Sequence, residues 1–275
     1  MPIWQAVVLG IVQGLTEFLP ISSSAHLAVI PHIFQWRDQG LSFDIALHCG
    51  TLLAVLGYFF RDWWQIILQA FGVKTAGGDP AIARNPKLLW LLVAATIPAG
   101  IIGLLFEKQA EEAGNNLPMI GLWSIAMGLL MLWADRTGRQ KLDLSHISAT
   151  NAITIGAAQA LAVMPGVSRS GITMTAAMFK GLERGAAARF SFLLSTPITA
   201  AAVLKNFYDL SKTGIPEDMR AAFVVGILVS GVSGALTIRY FMDFLRRRSL
   251  GTFVTYRLIF GIMVIALAIF RSSGR

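Results

Sequence analysis

The chain has 275 residues, 55% of them hydrophobic and only 14% charged, with a formal net charge of +8. Soluble domains carry about 25% charged residues, so a mostly water-facing surface is excluded. The basic excess lies in loops between apolar runs, as at Arg246, Arg247 and Arg248, which is a membrane-topology signal and argues against nucleic acid as a partner.

The N-terminus lacks a basic leader and a clear small-residue cleavage site, so the first apolar segment is expected to stay in the protein. From Met1 to Trp36 the only carboxylate is Glu17. It ends the run Gln13-Gly14-Leu15-Thr16-Glu17 and is followed by Phe-Leu-Pro and then Ile21-Ser22-Ser23-Ser24-Ala25-His26. The i, i+4 spacing puts Gln13 and Glu17 on one helix face. Two oxygen-bearing side chains there could hold a hard cation, Mg²⁺ or Ca²⁺, or Glu17 could act as a general base. The serines offer hydroxyls and the free N–H groups of a helix start, and His26 could carry a proton. The bland alternative is a capping glutamate and a packing histidine. Ionisable groups inside a membrane are expensive and functional by default, which favours the chemical reading.

Residues 45–60 form a weak spanning candidate containing the single cysteine, Cys49, which excludes an internal disulfide and reads as packing. His48 and Asp62 stay unassigned, with a packing role and a loop charge as the bland readings. Residues 88–106 and 117–134 are clear spans, since roughly 20 apolar residues cross a bilayer core. From Leu144 to Phe179 the only charged residue is Arg169, within Pro165-Gly166-Val167-Ser168-Arg169-Ser170-Gly171-Ile172-Thr173. Glycine at Gly166 allows close backbone approach. Ser168, Ser170, Thr173 and the N–H groups of a helix start suit an anion, and the guanidinium fork of Arg169 suits phosphate oxygens. The alternative is a Pro/Gly break with Arg169 paired to a carboxylate. Residues 190–204, 221–238 and 252–270 complete the spans.

The chain matches itself at an offset of 146: Gly10 with Gly156, Gln13 with Gln159, Leu15 with Leu161, Ser22 with Ser168 and Ser24 with Ser170. Phe43 and Phe190 open a second parallel stretch, and Gly100 and Gly103 echo Gly231 and Gly234. The expectation is one all-α membrane domain, 1–275, of two repeats, about 1–142 and 143–275. Each would hold one polar opening segment and three spanning helices. Three crossings invert the second half, an arrangement that places sites near the bilayer midplane between broken helices. Of the loop cations, fourteen fall on one face and seven on the other, which puts the first face in the cytoplasm and both termini outside. As full hairpins the opening segments would leave Glu17 and Arg169 about 30 Å apart. As re-entrant pairs, their tips can meet. Broken backbone at that depth is tolerated when buried in protein or lining a wet cavity.

QGLTEFLPISSSAH together with PGVSRSGIT resembles the undecaprenyl-diphosphate phosphatase, or bacitracin-resistance, family, and the likeness runs from Gly10 to beyond Phe207. The resemblance implies hydrolysis of the C55 isoprenoid diphosphate carrier to its monophosphate for cell-wall synthesis, a divalent cation, and an inverted repeat with two re-entrant helix pairs and six spanning helices. It carries the family's metal-motif positions to Gln13 and Glu17, its serines to Ser22 and Ser23, its histidine to His26 and its arginine to Arg169. Gln13 is the neutral choice at its position, and Ser24-Ala25 stands where many members have Thr-Gly. The acid-phosphatase-like lipid phosphatases are a poor match, since no histidine follows Arg169.

The resulting expectation has catalytic Glu17, Ser23, His26 and Arg169, and substrate contacts from Ser22, Ser24, Gly166, Ser168, Ser170 and Thr173. Either Ser23 or a water attacks the terminal phosphorus, with Ser23 preferred. Expected partners are the polyprenyl diphosphate and membrane lipids. A homodimer stays open as an assembly. The cavity should face the outer leaflet of the bacterial inner membrane. The rival reading is a transporter or flippase for a lipid phosphate, binding the headgroup through the same motifs.

Overall fold

The computed structural model describes residues 1–73, 77–114 and 116–273. Lys74 and Arg275, two of the loop cations used for topology, lie outside the described residues. Among the described residues the chain is helical, without a strand. In order the helices are α1 Ile3–Phe18, α2 Ser23–Phe34, α3 Leu41–Tyr58, α4 Phe60–Ala70, α5 Pro80–Ala83, α6 Leu88–Leu105 and α7 Glu107–Gly114. They continue with α8 Leu117–Thr137, α9 Ala149–Gln159, α10 Arg169–Phe179, α11 Arg184–Thr213, α12 Glu217–Leu245 and α13 Gly251–Ser273. Six of them, α3, α6, α8, α11, α12 and α13, are long and apolar enough to cross a membrane. They coincide with the six segments read from hydropathy, and the chain is a multi-pass membrane protein. Large apolar side chains such as Leu104, Leu236 and Phe270 remain exposed on their outer faces, as a lipid-facing surface requires.

Both polar opening segments break in the middle. α1 stops at Phe18 because Pro20 disfavours the helical conformation for Leu19, which is extended at φ −71°, ψ 143°. Met164 before Pro165 is likewise extended, at φ −77°, ψ 129°, after a 3₁₀ turn over Ala160–Val163. The chain re-enters a helix through Ser22 at φ 75° and Ser168 at φ 70°. Positive φ in a non-glycine residue costs about 1–3 kcal/mol and persists where the surroundings over-determine it. Here the two breaks hold each other. Ser170 Oγ donates to the Leu19 carbonyl at 3.1 Å.

Close helix contacts set the frame. α12 lies along α1 and α3 through small residues, the usual way helices associate in lipid. A Cβ at Gly50 would come within 2.2 Å of the Ile227 carbonyl oxygen. The pairing is exchanged between the halves. α12 covers α1, and α6 covers α9, where a Cβ at Gly156 would sit 2.0 Å from the Ala95 carbonyl oxygen. On the basic-loop face, Arg189 grips Asp62 at 2.7 Å and Asp79 at 2.8 Å, and Arg184 bonds Asp135 at 2.6 Å. Asp62 is therefore an ion-pair partner rather than a free loop charge. Burial works against ionisation of Asp79. Hydrogen bonds from Arg189 and from the Ile82 and Ala81 N–H groups outweigh it, and the carboxyl lies below its ordinary range.

Candidate active site

The first break delivers Glu17 from the last turn of α1 and Ser23 from the first turn of α2. Ser23 Oγ donates to Glu17 Oε2 at 2.6 Å. Gln13, one turn back on α1, donates its Nε2 to the same oxygen at 3.1 Å. The second break delivers Arg169 as the first residue of α10. Its guanidinium pairs with Glu17 Oε1 through Nη2 and bonds Thr199 Oγ1 on α11 through Nη1. Glu17 and Arg169 are 152 residues apart in sequence and in contact in space, so both tips reach one point.

That point is the floor of a cavity of about 300 Å³. Glu17, Ser22, Ser23 and Ser24 line it from the first break, and Ser168 and Arg169 from the second. The walls come from Ile45 and His48 on α3, Ala99 and Gly103 on α6, Gln159, Ala160, Ala162 and Val163, and Ile198, Thr199 and Ala202 on α11. Ser22 Oγ lies 3.2 Å from Ser24 Oγ, and Ser168 Oγ lies 3.2 Å from Ser170 Oγ. The first-turn N–H groups of α2 and α10 add partial positive charge beside them. Ser168 itself caps α10 by accepting from the Gly171 N–H at 3.1 Å.

Other expected site residues face the protein. His26 is buried off the cavity. Its Nδ1 meets the Ser22 carbonyl at 2.7 Å, its Nε2 meets Tyr256 Oη at 2.6 Å, and its ring stacks on Phe260. Gly166, at φ 90°, packs on the α8 backbone, where a Cβ would lie 2.6 Å from the Ile120 carbonyl oxygen. Thr173 bonds the Arg169 carbonyl and Ser191, and so supports α10. Ser170 ties the breaks together through the Leu19 carbonyl.

Two residues that matter here escaped the sequence reading. Arg257 on α13, 1% exposed, donates to the Pro20 carbonyl at 3.0 Å and to the Gly166 and Val167 carbonyls at 2.6 and 3.2 Å. One guanidinium therefore clamps both breaks, and its signal was the one that marked Arg169, a lone charge inside an apolar run. His48, unassigned from the sequence, borders the cavity with Nε2 3.4 Å from Glu17 Oε2. Its Nδ1 meets the Asp44 carbonyl at 2.8 Å, which fixes the ring.

For a divalent cation the donors are sparse. Among the described residues no three His, Cys, Asp or Glu side chains gather as a metal cage. The residues do fit a site completed by a ligand. Glu17 faces the cavity, and Gln13 Oε1 beside it is buried without a hydrogen-bond partner. Mg²⁺ is commonly held by one or two carboxylates together with substrate phosphates. A second hollow, of about 450 Å³, is lined by Leu15, Leu236, Tyr240, Phe241 and Phe253 among others. It is mostly apolar and holds no charged side chain.

The family described as Bacitracin resistance protein BacA matches residues 6–263 of the chain. A protein named undecaprenyl-diphosphatase from Moorella thermoacetica is 45% identical over 267 residues, covering 97% of this chain and 98% of that protein. One of the same name from Pelotomaculum thermopropionicum is 43% identical over 274 residues and covers both chains fully. A third, from Geotalea daltonii, is 45% identical over 267 residues, with 96% and 98% covered.

Proposed function

The chain belongs to the bacitracin resistance protein BacA family, and from that premise we propose how its cavity works. The protein is an undecaprenyl-diphosphatase. It hydrolyses undecaprenyl diphosphate to undecaprenyl phosphate and inorganic phosphate, which returns the lipid carrier to cell-wall synthesis. The roles of its residues, the place of the cation and the orientation in the membrane are our inference from the site's geometry.

One observation carries the assignment of roles. A hydroxyl, a carboxylate and a guanidinium from two separate breaks meet at one cavity floor. The Ser23–Glu17 hydrogen bond of 2.6 Å has the geometry of an activated nucleophile and its base. Ser23 Oγ attacks the terminal phosphorus, and Glu17 takes its proton. The bond from that phosphorus to the bridging oxygen breaks, and the electron pair leaves with the lipid phosphate. Water then attacks the phosphoserine and releases inorganic phosphate, regenerating Ser23. Arg169 has five N–H donors, and two contacts occupy it in the resting site. The rest are available to phosphoryl oxygens, where charge neutralisation does most of the catalytic work. Glu17 and Gln13 are the residues that would hold a divalent cation, Mg²⁺ or Ca²⁺, which when bound neutralises diphosphate charge.

The cavity leans toward one end of the bundle. Its wall uses the first half of α3 and the second half of α6, the ends that lead to Arg37 and Lys108 on the face poorer in cations. We therefore orient it toward the outer leaflet of the bacterial inner membrane, with both termini outside and the isoprenoid tail in the lipid between apolar helices. In this reading the halves are inverted repeats whose opening pairs are re-entrant. The direct test is phosphate release by the purified full chain from undecaprenyl diphosphate, with and without EDTA. Stoichiometric phosphate, suppressed by EDTA and restored by Mg²⁺ or Ca²⁺, is expected. Tight lipid binding without phosphate release would turn the reading into that of a transporter.

A further inference from the structure

We propose that Gln159 is a ligand-binding residue of the cavity. Its amide nitrogen donates to a phosphate oxygen of the bound diphosphate, and its amide oxygen accepts from a water held with that headgroup. The proposal rests on the diphosphate reading of the cavity.

Gln159 ends α9 and borders the cavity together with Glu17, Ser23 and Arg169. It is 2% exposed, and neither its Nε2 nor its Oε1 has a hydrogen-bond partner. Buried amides are nearly always paired, and an unpaired one calls for a reason. The α9 backbone one turn earlier is pressed against α6, where a Cβ on Gly156 would lie 2.0 Å from the Ala95 carbonyl oxygen. The counterpart side chain supplies the contrast. Gln13, 146 positions earlier, donates to Glu17 four residues on. Four residues after Gln159 stands Val163. The first amide steadies a carboxylate, whereas the second has had that partner replaced by an apolar side chain and is left with both polar atoms unused.

The unused atoms define what would satisfy them. A primary amide has two N–H donors and one acceptor oxygen. Fully ionised phosphate oxygens only accept, so they satisfy the nitrogen, and the oxygen needs an accompanying water. A neutral donor also complements Arg169, since it fixes a phosphate group without adding charge to the site.

Two variants of the full chain in detergent test this, Gln159→Leu and the isosteric Gln159→Glu. With undecaprenyl diphosphate as substrate, kcat/KM of Gln159→Leu should fall roughly ten- to a hundredfold, with most of the loss in KM, as for a lost hydrogen bond to a charged group. Gln159→Glu should lose more through like-charge repulsion. The melting temperature of Gln159→Leu should not fall, because the amide makes no bond within the fold. A second arm titrates inorganic diphosphate and reads the rise in melting temperature. The parent should show a rise, and both variants should lose most of it. Equal rises in parent and variants, a KM within twofold of the parent, or stability and kcat/KM falling together in both variants would overturn the proposal. A parent that binds inorganic diphosphate but releases no phosphate from the lipid would sink the hydrolysis reading, while the binding arm still judges Gln159. A parent that does neither would sink both.

Discussion

Ser22 and Ser168 stand at φ 75° and 70°, each opening a helix, each with its hydroxyl 3.2 Å from that of the serine two residues on. The two breaks share this backbone and almost nothing of their chemistry. Where the first carries Glu17 and Ser23, the second carries Val163 and Arg169 at the same offset. In the proposed mechanism the first break supplies the base and the nucleophile and the second supplies the guanidinium, so that a single copy of either would hold half of the site. The shared turn brings two helix starts to one point, and the divergent side chains make that point reactive. The flanks differ in the same way. α12 closes tightly on α1, while α6 closes on α9 at Ala95 and is open further along, where a Cβ on Gly100 or Gly103 would meet nothing within 4 Å. The cavity lies along that open stretch.

The sharpest way to break this comparison is to remove the cation from the second break. Arg169→Ala should reduce phosphate release on the order of a thousandfold at saturating lipid. Arg169→Lys should also be strongly impaired, since it keeps the charge and loses the planar fork. Both should stay folded by thermal melt. Turnover of folded Arg169→Ala within about tenfold of the parent would make the arginine structural.

A second test separates the shared turn from the chemistry mounted on it. Arg257 touches carbonyls of both breaks and lines no part of the cavity. Arg257→Met keeps much of the bulk and leaves those carbonyls unpaired. Hydrogen bonds to charged groups contribute about 1.5–3 kcal/mol each, so the melting temperature should drop by several degrees and activity should fall with it. A variant as stable as the parent with unchanged kcat would show that the breaks hold their shape without the clamp.

The smallest effects test the flanks. Gly50→Ala forces a methyl onto the Ile227 and Ser230 atoms of α12 and should lower the melting temperature clearly. Gly100→Ala enters open space and should leave it unchanged or raise it slightly, because alanine is the better helix former by roughly 0.5–1 kcal/mol. Equal losses in the two variants would mean that α6 is as closely packed at Gly100 as α3 is at Gly50.

The spans and the breaks were legible in the sequence for local reasons. Hydropathy over about 20 residues marks a crossing, and Pro20 and Pro165, each close to Gly or Ser in a polar motif, mark breaks, whereas Pro31, Pro98 and Pro197 stand inside helices. Glu17 and Arg169 stood out because each was alone in an apolar stretch. Arg257 is also alone in an apolar stretch, but its role is not legible there, since carbonyls it clamps lie 237 and 91 residues away and no local period announces them. His26 sits three residues beyond Ser23, close enough on the helix to share its face. Tyr256 and Phe260 of α13 decide its direction instead, a choice made by packing and not by spacing. Cys49 packs against the core as read. The repeat at offset 146 identified Gln159, but its lack of partners is visible only once the cavity is formed.

In the proposed mechanism the Ser23 hydroxyl, held by Glu17, takes the phosphoryl group opposite Arg169. Rapid acid quench of the reaction with undecaprenyl diphosphate labelled in its terminal phosphate, followed by peptide mass spectrometry, addresses it directly. Transient label on Ser23 is expected, with Ser23→Ala losing both label and nearly all turnover. Absence of label from Ser23, together with substantial turnover in Ser23→Ala, would contradict it and make water the nucleophile.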